Sequence, residues 1–163
     1  MSDKVCDNRS VGVIISNSGG KIALLKRAKF PIRMAPPAGH NDDHGSPEQT
    51  AIDEVEEEIG LVIEPSDLIP TAIAERRMNN KCRREGGDHH VWWVYEVDQF
   101  LGDIDPDPEE TQGAAWYSKK QLQRFADRTK AYKAGKIPEA EWEQNPGLED
   151  VWIDFMRELG YIK

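Results

Sequence analysis

The stretch GHNDDHGSPEQTAIDEVEEEIGL, residues 39–61, decides the fold, because a capped helix and a block of like charge coincide in it. Ser46, Pro47 and Gln49 supply an N-cap, a first-turn proline and a capping-box glutamine, and Gly60 supplies a left-handed stop. The spacing predicts a helix over about 47–59. Ala51, Ile52, Val55 and Ile59 recur at one-turn intervals and make a stripe to be buried. Glu54, Glu57 and Glu58, three and four positions apart, converge on a neighbouring face. DEVEEE, residues 53–58, carries five carboxylates in six positions. Each exposed like-charged pair one turn apart costs roughly 0.2–0.5 kcal/mol. A shared divalent cation would offset that repulsion, and hard oxygen ligands select Mg²⁺ or Mn²⁺ over zinc. The alternative is the solvated side of an ordinary amphipathic helix.

Outside this stretch, composition narrows the possibilities. A chain of 163 residues and 18.5 kDa has room for one domain with a core, and 38% apolar residues with five Trp suit a soluble globular protein. No apolar run reaches the roughly 18 residues of a membrane span, and MSDKVCDN lacks the apolar stretch of a signal peptide, so the expectation is a cytoplasmic protein. The net charge of −9 is unevenly spread: from Met34 through Glu75 there are eleven acidic residues, Glu75 included, and no Lys or Arg. That block is threaded by Ile52, Val55, Ile59 and Leu61, which suits a cation site better than a disordered tail. A duplex nucleic acid would want a basic face and is not an expected partner. Cys6 in a tail and Cys82 in a polar loop make neither a disulfide framework nor a zinc cluster, and both are expected to be reduced bystanders. His40 and His44 flank Asp42 and Asp43 in a glycine loop, which lacks the fixed register of a helical pair; they read as plain loop residues.

Residues 39–61 resemble the box of the Nudix hydrolase family, G-x5-E-x7-R-E-U-x-E-E-x-G-U, with U a bulky apolar residue. Gly39, Glu54, Val55, Glu57, Glu58, Gly60 and Leu61 fall on their places. Gly45 stands where the box has its first glutamate, and Asp53 where it has arginine. In the family those two residues pair and steady the following glutamate, so their joint loss is a coupled change. Asp53 also puts negative charge beside Glu54 and Glu57 where the family has positive. Asp42 and Asp43 are candidates to stand in for the missing glutamate, the alternative being that they are solvated loop acids.

The resemblance spans most of residues 9–125 and implies an α+β fold, an α/β/α sandwich with a mixed β-sheet flanked by helices. It implies a pyrophosphohydrolase dependent on Mg²⁺ or Mn²⁺, acting on a small-molecule nucleotide: a nucleoside diphosphate linked to another moiety, such as a nucleotide sugar or nucleoside triphosphate. The implied metal set is Glu54, Glu57 and Glu58, the backbone carbonyl of Ala38 within MAPPAGH, and Glu110, from whose position some members supply a ligand or a base. Glu54, Glu57 and Glu110 are the catalytic candidates. The competing expectation, motivated by Gly45 and Asp53, is a catalytically degenerate nucleotide-binding or regulatory module on the same fold.

The flanking segments complete the reading. SVGVIISN and KIALLKR, joined by the turn SNSGGK, read as a β-hairpin, and LIPTAIAERRM and HHVWWVYEVDQF as further strands. A cluster of Arg76, Arg77, Lys81, Arg83 and Arg84 follows the acidic block. Guanidinium groups clamp phosphate oxygens, so Arg76, Arg77, Arg83 and Arg84 are expected to bind substrate, unless they form only a solvated hairpin tip. Phe30, Trp92 or Trp93 is expected to offer a base its slot, and only one of the adjacent tryptophans can face a given side of a strand. Ser118 and Gln121 form another capping box, and Leu148, Val151, Trp152, Phe155 and Leu159 lie along one side of a last helix. These residues are expected to fill the core; for Trp142 and Trp152 the alternatives are a homodimer surface or a stack against a base. The expected organisation is one domain over 1–163, with its core at about 9–130 and a C-terminal helical extension at about 131–163.

Overall fold

The computed structural model describes residues 4–163. The strands are β1 (Arg9–Ile15), β2 (Ile22–Arg27), β3 (Met34–Ala35), β4 (Ala38–His40), β5 (Ile69–Pro70), β6 (Arg76–Met78), β7 (His90–Val97) and β8 (Thr111–Tyr117). The helices are α1 (Pro47–Ile59), α2 (Lys119–Lys133), α3 (Glu139–Gln144) and α4 (Asp150–Glu158).

Period-two burial sets the layers. Along β1, Val11, Val13 and Ile15 join a core with Ala51, Val55 and Ile59 of α1, whereas Ile14 joins a second core with Leu122 of α2 and Trp152, Phe155 and Met156 of α4. β2 divides the same way, Ala23 and Leu25 to the α1 side and Ile22 and Leu24 to the other. Strands buried on both faces, with helices outside each face, give the expected α+β sandwich. Trp92 packs edge-on against Trp152 and Phe155, while Trp93 turns to the opposite side, where Arg9 lies 5.6 Å from its ring centre.

The strands do not form one sheet. β1 pairs with β7 in parallel and with β4 antiparallel, and β5 and β6 pair with the far edge of β7. β2 lies in a separate antiparallel sheet between β3 and β8. The expected β1–β2 hairpin therefore reduces to a bridge between Ser16 and Ile22. Both edges of each strand are taken by other partners, so the chain crosses between sheets where it was expected to fold back.

Helix α1 has the expected bounds, with Ser46 accepting from the Gln49 backbone N–H at 3.1 Å and Gly60 ending it in the left-handed region. The capping box is only half made there, because the Gln49 side chain turns to Asp53 instead. In α2 the Ser118–Gln121 box is complete. The short α3 has no counterpart in the sequence reading; Trp142 on it is buried and stacks on Tyr132 at 4.0 Å between ring centres. Trp152 closes over Gly12 of β1, so the C-terminal segment is part of the core. Among the described residues no helix is long and apolar enough to cross a membrane.

Candidate active site

The loop from β4 into α1 brings acids against backbone. Glu54 is seated where a Cβ on Gly39 would meet its carboxyl carbon at 2.2 Å and its oxygens at 2.3 and 2.6 Å, so this approach requires a glycine at 39. Glu58, one helical turn further on, accepts a hydrogen bond from the Ala38 backbone N–H at 2.8 Å. Both carboxyls line a cavity of about 160 Å³, with Ala38, Gly39 and Glu110. Burial pushes Glu54 up to about 8, and the charges of Glu58 and Glu57 add to it. Burial also pushes Glu58 up to about 8, opposed by the Ala38 N–H and by Arg27 and supported by Glu110 and Glu57. A buried Glu58 and a mostly buried Glu54 on one wall, with Glu58 disfavouring the ionisation of Glu54 and Glu57 that of both, form a site that a cation would relieve.

Glu57 is exposed and does not line the cavity, but its charge acts on both carboxyls. Glu110 lines the cavity with its Oε2 3.7 Å from Lys29 Nζ. Phe30, Arg83 and Arg84 also line it; Phe30 is 55% exposed. Arg76 and Arg77 do not. Arg76 lies against Glu158 of α4 at 2.8 and 3.0 Å, and Arg77 is exposed. Their expected phosphate-clamping role is not supported by this placement, because β6 pairs along β7 and sends the Arg76 side chain over α4.

The two departures from the Nudix box have a structural answer. His44 Nδ1 lies 2.7 Å from Asp53 Oδ2, and its Nε2 lies 3.4 Å from Glu54 Oε1. Burial lowers the His44 pKa, yet Asp53, Glu54 and Glu57 outweigh it and raise the group above its ordinary value. The His44 imidazole thus bridges Asp53 and Glu54, and these acids favour its protonated form, which puts positive charge next to Glu54 where the box has arginine. His44 is no plain loop residue, and the reason is its reach across to α1. Asp42 is not a solvated acid either: it receives Arg84 Nη1 at 2.9 and 3.0 Å, and its own backbone N–H donates to Asp7 at 2.7 Å. Asp43 is exposed.

Sequence reasoning missed Arg27 and Glu149. Arg27 ends β2, lines the cavity and lies 4.0 Å from Glu149, whose carboxyl is raised by burial against the pull of Arg27. Arg27 Nε and Glu149 Oε2 are buried without hydrogen-bond partners among the described residues. The basic end of KIALLKR was the available signal for Arg27; Glu149 sits far along the chain with none.

A NUDIX domain family model matches residues 7–138, and the chain belongs to the NUDIX family, hydrolases acting on phosphoanhydride bonds. Among solved structures, a MutT from work on the Aliivibrio salmonicida and Vibrio cholerae proteins is 23% identical with a TM-score of 0.55, covering 71% of this chain and 83% of that one. MutT NUDIX hydrolase from Burkholderia pseudomallei is 23% identical with a TM-score of 0.56, over 69% of this chain and 84% of its own. A C. elegans Ap4A hydrolase in a binary complex is 21% identical with a TM-score of 0.54, over 78% and 98%. At these identities the likeness is one of fold. No curated protein matches the sequence.

Proposed function

We propose that this chain is a divalent-metal-dependent pyrophosphohydrolase that cleaves a nucleoside diphosphate linked to another moiety. The reading is carried by one observation: Glu54 and Glu58, both held above the ordinary carboxylate range, line a cavity whose other walls carry Arg27, Lys29, Arg83 and Arg84. The donor set is all oxygen, which fits Mg²⁺ or Mn²⁺. Glu54, Glu58, Glu110 and the Ala38 carbonyl would hold it, with Glu57 contributing its charge from outside the cavity. When bound, such a cation neutralises diphosphate oxygens and lowers the pKa of water.

The remaining work falls to the chain's own groups. Glu54 or Glu110 accepts a proton from the attacking water. Arg27 and Arg83 take negative charge from the phosphates, and the unpartnered Arg27 Nε is a donor such an anion would satisfy. Arg84 stays anchored on Asp42 and fixes the turn that carries Arg83. The exposed face of Phe30 offers the base a surface. A purely regulatory module is disfavoured because the His44–Asp53 exchange keeps Glu54 supported despite Gly45.

The test is turnover of a nucleotide panel, including nucleotide sugars, nucleoside triphosphates and dinucleoside polyphosphates, with added Mg²⁺ or Mn²⁺. Metal-dependent release of a nucleoside monophosphate, lost in Glu58→Gln, is expected. Ligand-induced stabilisation with no turnover would replace the enzyme by a binding module.

A further inference from the structure

A second cluster borders this cavity, three of its four residues, His40, Cys82 and His90, lining it beside the glutamates. Cys6 comes from the lead-in to β1, His40 from the end of β4, Cys82 from the connection between β6 and β7, and His90 from the start of β7. One potential ligand atom from each lies within 4.8 Å of all the others. Cys82 Sγ is 3.7 Å from Cys6 Sγ, and Cys6 Sγ is 3.3 Å from His90 Nε2. A tetrahedral zinc ion, with sulfur at about 2.3 Å and nitrogen at about 2.0 Å, spaces its ligands about 3.3–3.8 Å apart. A disulfide would need its sulfurs at about 2.05 Å.

We propose that Cys6, His40, Cys82 and His90 form a structural zinc site, distinct from the oxygen-lined cation site on α1. Two thiolates and two imidazoles suit zinc and do not suit Mg²⁺. The groups around the cluster are arranged for coordination. His90 Nδ1 lies 2.9 Å from the Asn80 carbonyl, which can only accept, so Nδ1 carries the proton and the Nε2 lone pair faces Cys6. His40 Nε2 is buried with no hydrogen-bond partner among the described residues, a costly state that coordination removes. Backbone N–H groups two residues on donate to each sulfur, Asn8 to Cys6 at 3.3 Å and Arg84 to Cys82 at 3.4 Å, and so fix where both sulfurs sit. Gly87 gives the Cys82 sulfur its place, since a Cβ there would lie 2.2 Å from it.

Cys6 and Cys82, expected to be unrelated bystanders, are 76 positions apart in sequence yet adjacent in space, and under this proposal they and His40 are ligands. Zinc at this point ties the N-terminal segment, the glycine loop and the β6–β7 connection together, and a cross-link between such distant segments removes freedom from the unfolded chain. It also fixes the stretch bearing Lys81, Arg83 and Arg84 against the wall that carries Glu54.

The test measures metal in the full-length chain purified from zinc-supplemented cells after loosely bound ions are removed. About one zinc per chain is expected in the wild type and in Glu58→Gln, and none in the Cys6→Ser/Cys82→Ser double variant. Cobalt supplied in place of zinc gives the wild type thiolate-to-cobalt charge-transfer absorption with tetrahedral ligand-field bands, a readout independent of whether the serine variant folds. Wild-type protein that retains no zinc, a double variant that retains all of it, or cobalt spectra without a thiolate band overturns the site. So does a Cys6–Cys82 disulfide in the freshly purified protein.

Discussion

Glu54 and Glu58 of α1 line the same cavity as His40, Cys82 and His90, yet the acidic face and the cysteine–histidine corner are built in opposite ways. Glu54 and Glu58 sit one turn apart on a helix, and backbone geometry alone puts them side by side. Cys6, His40, Cys82 and His90 meet only because β1, β4 and β7 pair as neighbours and the β6–β7 connection folds back over them. One wall offers hard oxygen and the other soft sulfur and imidazole. Ligand chemistry can therefore sort two cations within one cavity without a partition between them. His40 and Gly39 are the hinge of this arrangement, since Gly39 admits Glu54 while the next residue turns to the thiols.

The sharpest way to break the contrast is to remove the oxygen wall alone. Glu54→Gln should lower kcat by about 10²–10⁴, the range for loss of a general base, while zinc content is unchanged. Loss of zinc together with activity would mean the two walls form one site. Gly39→Ala comes next. Its methyl group needs the space Glu54 holds, so Glu54 must swing out; activity is expected to fall about tenfold or more, with less than about 2 kcal/mol lost in denaturant unfolding.

The oxygen wall also has a pH signature. Glu54 and Glu58 are held above their ordinary range, both at about 8, so the fold favours their protonated forms. That stabilisation is complete below the usual carboxylate pKa and is lost as pH rises through about 8. Melting temperature without added cation should fall across this window, and Mn²⁺ should restore it increasingly as pH rises, with protons released on binding. A melting curve that Mn²⁺ shifts equally at both ends of the window would remove the linkage. His44→Ala has a smaller effect of the same kind: His44 lowers the Glu54 pKa, so its loss should move the acid limb of the kcat/KM profile upward.

Legibility in the sequence followed this division. α1, its caps and its glutamates were readable because every relation lies within a few residues and one helical period. The alternation of β1, β2 and β7 was readable too, but not their partners: nothing local states that β1 and β2 belong to different sheets. Asp53 looked like a loss because its partner was sought at position 45, whereas His44 reaches it from the neighbouring position. The thiols were dismissed because metal-ligand spacing was sought along the chain, and here it exists only across the sheet.

The weakest effect separates the two halves of the basic cluster. Arg76 and Arg84 looked equivalent as phosphate ligands in sequence, but Arg76 pairs with Glu158 at the surface, and Arg84 holds Asp42 with side chains only 13% and 19% exposed. Arg84→Ala strips a charged hydrogen bond from a half-buried acid and should cost about 1.5–3 kcal/mol in denaturant unfolding. Arg76→Ala removes a solvent-screened pair and should cost less than about 1 kcal/mol, with kcat/KM changed by less than about twofold. A tenfold fall in kcat/KM for Arg76→Ala would bring β6 into substrate binding and show that the loop between Arg76 and Arg84 closes over the nucleotide.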